Sequence, residues 1–204
     1  MQELIETGLK DLGIDAKQDL CSAYLTYIDL LIKWNKAYNL TAIREPEAIA
    51  LKHVLDSLSV YSYIKGDRCL DVGTGAGLPG LILALAQPDK NWTLLDSNQK
   101  KLRFIQHVKV KLNINNINIV NARVEKFKSE ELFHTIICRA FSSLHNFHNA
   151  CHHLLDEKGI LLAMKATLDG AELNEAKSIT HSLEIKELHV PGLMSERSLV
   201  MMSG

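Results

Sequence analysis

The sequence predicts an α/β protein with a seven-stranded, mostly parallel sheet, helices on both faces and an N-terminal helical extension. Three observations carry that expectation. From Arg68 onward, short apolar runs alternate with helical stretches. The first run leads into Leu70-Asp71-Val72-Gly73-Thr74-Gly75-Ala76-Gly77-Leu78-Pro79-Gly80, an acidic strand end followed by glycines at every second position. The tail breaks the alternation with two strand-like runs joined through Pro191-Gly192, expected to form an antiparallel pair at one end of the sheet.

The elements follow in order. Leu20, Ala23, Tyr24, Tyr27, Leu31, Trp34 and Tyr38 recur at steps of three and four, an amphipathic face ending near Asn39. Pro46 suits the start of another helix running to about Leu58. A seam falls near Tyr61–Asp67, dividing a helical extension (residues 1–62) from a ligand-binding domain (63–204), the two packed as one globular unit. Strands are then expected at Cys69–Val72, Trp92–Asp96, Ile117–Asn121, Thr135–Cys138 and Ile160–Lys165. Helices are expected at Leu78–Ala86, Gln99–Leu112 and Leu144–Leu155. A helix around Ala171–Ser182 precedes the last two strands, Leu183–Val190 and Arg197–Met202.

The glycine segment is where a ligand can lie against bare backbone. Glycines remove the Cβ atoms that would block approach and can adopt positive φ. Pro79 suits a first helical turn, and the helix is expected to aim unpaired N–H groups into the crevice. Read from Gly75, the run satisfies the dinucleotide fingerprint G-x-G-x-x-G. Read from Asp71, it is Asp-x-Gly-x-Gly-x-Gly, the first motif of S-adenosylmethionine (SAM) methyltransferases. A carboxylate suits a cationic amino-acid moiety better than a pyrophosphate, and the antiparallel tail also favours SAM over a nicotinamide dinucleotide.

Ligands in open α/β sheets bind outside the carboxyl ends of strands. Asp71, Gly73, Gly75, Gly77 and Leu78 follow the first strand. Asp96 ends the second, where it either accepts from ribose hydroxyls or caps the next helix. Arg123-Val124-Glu125 follows the third and can flank an adenine. Arg139 leaves the fourth, to steer substrate, hold a ligand carboxylate or form a salt bridge. Lys165 leaves the fifth as a phosphate contact or a plain surface lysine.

Composition bounds the rest. The chain has 204 residues, 47% of them hydrophobic, enough for a core without a metal or disulfide staple. Cys21, Cys69, Cys138 and Cys151 lack C-x-x-C spacing and read as reduced thiols of a cytoplasmic protein. No secretory start and no membrane-spanning apolar stretch is expected. Net charge is −1, but eight basic residues between Ser97 and Lys128 face Glu125 alone, a local charge of +7. Residues 1–60 carry −3. The basic stretch is either a phosphate-binding face or a solvated surface. His145, His148, His152 and His153 crowd one helix, but ligands from a second element are missing, so no metal is expected. Ser142-Ser143 lacks the setting of a hydrolase nucleophile.

Larger blocks carry a family resemblance. Lys33-Trp34-Asn35-Lys36-Ala37-Tyr38-Asn39-Leu40-Thr41, His53-Val54-Leu55-Asp56-Ser57-Leu58, the glycine motif, Leu94-Leu95-Asp96-Ser97, Arg123-Val124-Glu125, Cys138-Arg139-Ala140-Phe141 and Pro191-Gly192 with Glu196-Arg197 occur in order. Together they resemble the bacterial 16S ribosomal RNA guanine-N7 methyltransferases, also called glucose-inhibited division protein B, over about Leu31–Met202. The resemblance implies a Rossmann-like SAM-dependent methyltransferase acting on N7 of one guanine, with 16S ribosomal RNA or the small ribosomal subunit as partner and no obligate protein partner evident. It implies cofactor contacts at Gly73, Leu78, Val124, Glu125 and Arg139. The chain departs from relatives in lacking a glycine before Lys100-Lys101 and one after Lys165, which bears on Lys165 more than on the activity.

The chemistry is consistent with the absence of an evident base. Guanine N7 carries a lone pair and no proton, so in-line attack needs positioning rather than deprotonation. No Pro-Pro or Pro-Cys occurs, which disfavours exocyclic-amine and cytosine-C5 methylation. A cation directly against N7 would oppose transfer, so Arg139 or Arg123 is expected to bind a phosphate, O6 or the cofactor carboxylate. Two other functions remain open: a methyltransferase of the same fold acting on a small molecule or protein, and a non-catalytic RNA-binding sensor.

Overall fold

The computed structural model describes residues 1–203. Four helices open the chain: α1 (Gln2–Asp11), α2 (Gln18–Tyr38), α3 (Pro46–Ile49) and, after a π-helical segment at Ala50–Leu55, α4 (Asp56–Leu58). The α/β region follows as β1 (Arg68–Val72), α5 (Gly80–Ala86), β2 (Asn91–Asp96), α6 (Gln99–Lys111), β3 (Ile117–Asn121) and β4 (Phe133–Arg139). It ends with α7 (Leu144–Cys151), β5 (Leu155–Lys165), α8 (Gly170–Lys177), β6 (Ser182–Glu187) and β7 (Ser198–Ser203).

The seven strands lie in the order β3-β2-β1-β4-β5-β7-β6. The first five pair in parallel, and β7 is antiparallel to both β5 and β6. Chain order reverses between β1 and β4, so the crevice at their carboxyl ends is where a ligand belongs. Strand alternation divides the core into two layers. Cys69, Leu94, Ile137, Leu162 and Leu199 join the cluster that also holds α2, α5, α6 and the buried side chains of the extension. Leu70, Leu95, Ile136, Leu161 and Val200 pack on the other face against Leu144, Phe147 and Cys151 of α7.

Several details differ from the sequence reading. Helix α5 begins at Gly80, with Pro79 at its N-cap, rather than at Leu78. The expected helix Leu144–Leu155 stops at Cys151; a 3₁₀ turn at His152–Leu154 leads into a β5 that starts at Leu155 rather than Ile160. The last two strands pair as expected, but residues 188–197 separate them, so Pro191-Gly192 is part of a longer loop. The π-helical segment has no periodic signature; its wider turn changes which side chains share a face. All four cysteines are free and buried. Among the described residues, no helix is long and apolar enough to cross a membrane, and no group of three His, Cys, Asp or Glu side chains could hold a metal ion.

Candidate active site

The turn after β1 is tied internally. Asp71 is fully buried, and its Oδ2 accepts from the Thr74 hydroxyl at 2.6 Å and the Gly80 N–H at 2.8 Å. Gly77 and Leu78 donate to the Thr74 carbonyl, and Leu81 donates to Gly77. The first N–H groups of α5 are therefore consumed within the turn. This corrects the expectation that they face the crevice: a carboxylate beneath the helix satisfies Gly80 before any ligand can.

The glycines divide by task. Gly73 and Gly75 have φ of 71° and 60°; a Cβ on Gly73 would meet nothing within 4 Å, and one on Gly75 nothing closer than 3.8 Å. Gly80 has no such room, since a Cβ there would lie 2.5 Å from Leu94 Cδ2 and 2.6 Å from Asp71 Cβ. Gly80→Ala should therefore destabilise the fold by about 1–3 kcal/mol through overpacking. Urea unfolding checks this, and an unchanged midpoint would contradict it.

Three adjoining cavities run along the strand ends. The first, about 190 Å³, is lined by Gly73, Asp96, Arg123, Val124, Glu125 and Phe141 among others. The second, about 260 Å³, shares Gly73 and adds Leu40, Thr41, His53, Gly75, Leu78, Lys101 and Arg139. The third, about 560 Å³, shares His53, Arg139 and Ala140 with the second and is also lined by Ile43, Lys52, Asp56, Lys165, Glu172 and Arg197. Ala140 takes a left-handed φ of 69° directly after Arg139, a conformation that L-residues seldom hold without tertiary support.

The sequence-predicted residues distribute across this row. Gly73, Gly75, Leu78, Asp96, Val124, Glu125 and Arg139 line the first two cavities. Asp71 and Gly77 lie beneath, lining none of the three. Asp96 is oriented by two backbone donors, Gly75 N–H at 2.9 Å and Asn98 N–H at 2.7 Å, while Asn98 itself caps α6. Lys165 lines the third cavity paired with Glu172 at 2.7 Å, and the same Glu172 oxygen accepts from Leu144 N–H.

Electrostatics centre on Asp56, almost fully buried. Its Oδ2 meets Arg139 Nη1 at 3.3 Å and its Oδ1 accepts from Arg197 Nε at 2.9 Å. Arg139 Nη1 also donates to the Lys52 carbonyl. Beside it, His53 Nδ1 lies 3.0 Å from the Lys52 carbonyl and Nε2 lies 2.8 Å from the Thr41 hydroxyl. Those two contacts are satisfied when Nδ1 carries the proton and Nε2 accepts, whereas Arg139 Nη2, 3.3 Å from Nδ1, can donate to the ring only in the other tautomer. Burial, helped by Arg139, pushes the His53 value down to about 4, so the ring is neutral at physiological pH. Thr41 is held in turn by Asn35, whose side chain exchanges two hydrogen bonds with the Thr41 backbone.

Asp71 remains the anomaly. Its Oδ1 is buried with no hydrogen-bond partner, and burial pushes the carboxyl up to about 6 against the opposing effects of Thr74, Gly80 and Arg139. An unpartnered acceptor beneath the glycine turn suits a cationic ligand above it.

Sequence reasoning missed the roles of His53, Asp56 and Arg197, although it singled out the blocks containing them. It missed Glu172 altogether and counted Lys101 only as part of a basic stretch. Lys165 ends β5 and Glu172 lies on α8, so their seven-residue separation runs along no single element and could not signal the pair.

Comparison with known proteins adds identity to this geometry. The family model described as "GidB: rRNA small subunit methyltransferase G" matches residues 20–200. A ribosomal RNA small subunit methyltransferase G of Methylobacillus flagellatus is 43% identical over 202 residues, covering 99% of this chain and 98% of that protein. One from Shewanella frigidimarina is 43% identical over 196 residues, covering 96% and 95%. A solved SAM-dependent O-methyltransferase from Thermotoga maritima superposes with a TM-score of 0.58 at 15% identity, covering 85% of this chain and 71% of that one. At that identity it supports the fold alone.

Proposed function

The chain belongs to the GidB family of rRNA small subunit methyltransferases G, and on that premise we propose that it methylates N7 of one guanine in 16S ribosomal RNA, using SAM. The residues present fit the cofactor. Gly73 and Gly75 leave the space a Cβ would occupy, Asp96 offers a pre-oriented carboxylate, and the orphaned Asp71 oxygen favours positive charge nearby. In this reading Asp96, Val124 and Glu125 hold the adenosine portion, and Gly73, Gly75, Leu78 and Arg139 hold the amino-acid portion. Asp71 and Gly77 act from below by holding the turn. SAM supplies an electrophilic methyl group on a sulfonium.

The observation that carries the choice of acceptor is that every carboxylate lining the third cavity has at least one oxygen tied to a cation or a backbone N–H: Asp56 to two guanidiniums, Glu172 to Lys165 and a backbone N–H, and Asp169 to the Ala171 N–H. His53 is neutral with both nitrogens in polar contact. Such a pocket suits an acceptor with no proton to lose, as N7 is. Arg139, anchored on Asp56, lies between the second and third cavities and steers the base or the cofactor carboxylate. Lys165, balanced by Glu172, is the further candidate for contacting the substrate. Residues 1–62 serve as an extension that walls this pocket, and 63–204 as the cofactor domain. The site of action is the cytoplasm, on free 16S RNA or the small subunit.

Tritiated methyl transfer to naked 16S RNA, small subunits and protein tests the proposal. Label in RNA, with strand scission by aniline after borohydride reduction, supports N7-methylguanine. Label only in protein, or in RNA that resists scission, would reject it.

A further inference from the structure

We infer that the edge between α2 and α6 is a docking surface for single-stranded RNA flanking the methylated nucleotide; the inference rests on the ribosomal RNA reading above and extends it to a place on the molecule. Two independent observations meet there. The first is aromatic. Tyr38 is 47% exposed and stacks on Trp34, with ring centroids 5.1 Å apart and planes 30° from parallel. Trp34 is itself wedged edge-on against Phe104 and rests on His107. The Tyr38 ring is therefore held at the surface by a rigid backing, already ordered for a base to stack on.

The second observation is electrostatic. Lys100, Arg103, His107 and Lys111 recur at steps of three and four, so they share one stripe of α6. The contact of His107 with Trp34 sets that stripe beside the aromatic pair. All four side chains are exposed, and α6 contains no acidic residue. Among the described residues, none of the four forms a salt bridge. A cationic ridge beside an exposed stacked ring matches the two needs of a single strand, phosphate neutralisation and base stacking, and fits a protein partner less well. The surface leads into the site: Leu40 and Thr41, just after Tyr38, and Lys101, next to Lys100, line the second cavity.

The test measures binding of a single-stranded 16S RNA fragment containing the methylated guanine, across a salt series, with SAM affinity measured by calorimetry alongside. Lys100→Ala with Arg103→Ala should lower the salt slope of log K by about 1.4, roughly 0.7 for each phosphate that is no longer neutralised. Tyr38→Ala should weaken binding about tenfold and Tyr38→Phe should restore it. SAM affinity should stay at the wild-type value in every variant, which shows that the fold is intact. Variants that bind the fragment with wild-type affinity and slope would overturn the inference while leaving the methyltransferase reading in place. Weakened binding to whole subunits with unchanged binding to naked RNA would overturn it too, by pointing to a protein partner. A wild-type protein that binds and methylates no RNA would sink both.

Discussion

Asp56→Ala should cut methyl transfer by about two orders of magnitude and weaken SAM binding by less, because Arg139 shifts while the other cofactor contacts stay in place. The carboxylate joins Arg139, at the end of β4, and Arg197, just before β7, and no other acidic side chain among the described residues pairs with either. Without it, two guanidiniums face each other at the mouth of the third cavity and both must move. Misplacement of positioning groups by about 1 Å is enough for roughly a 10²-fold loss. Breaking a fully buried pair costs about 3–5 kcal/mol. Here the arginine side chains keep 24% and 20% of their exposure, so solvent relieves part of that penalty and about 2 kcal/mol is expected. Asp56→Asn should rescue stability more than activity, because an amide presents only one acceptor to the two cations. Single-turnover methylation and urea unfolding of both variants check this; wild-type turnover in Asp56→Ala would refute the anchoring role.

Asp71→Asn should separate folding from cofactor binding. Burial raises the Asp71 carboxyl from 3.8 to about 6. A raised carboxyl value means that the folded protein holds the proton more tightly than the unfolded chain between those limits. Its unfavourable contribution is thus absent below about pH 4 and complete above about 6. Asparagine can still accept from Thr74 and Gly80 with its oxygen, but it carries no charge to bury. The stability of the variant relative to wild type should therefore improve as pH rises from 4 to 6, by up to about 3 kcal/mol. Cofactor affinity should move the other way. Wild-type affinity for SAM should rise with pH through about 6 as the carboxylate forms beneath the cation, whereas the variant should bind at least about tenfold more weakly with a flat profile. Calorimetry across pH 5–8, paired with denaturation at each pH, reads both trends. Equal affinity of the two proteins at pH 7.5 would remove Asp71 from cofactor binding.

These two carboxylates show how legibility varied along the chain. Asp71 stood out because its signal is local: an apolar run, an acid and spaced glycines occupy consecutive positions and obey strand and turn geometry. The same holds for the cavity-lining residues at the ends of β1 to β4, since each strand end can be read from the period of its own segment. Asp56 did not stand out as a site residue. Its partners lie 83 and 141 positions away, and the π-helical segment before it sets the face it presents.

Local periodicity was therefore sufficient for the strands, the glycine turn, the antiparallel tail and the fold class, because backbone conformation responds to neighbours within a few residues. The matched motif blocks were sufficient for the family. The tertiary structure alone settled which charges are neutralised. It paired Lys165 with Glu172, tied Arg139 and Arg197 to Asp56, and spent the Gly80 N–H on Asp71 and the Leu81 N–H on the Gly77 carbonyl rather than leaving them for a ligand. Whether a charged group is free or balanced depends on what lies within about 4 Å of it, and that distance exists only after distant segments have packed.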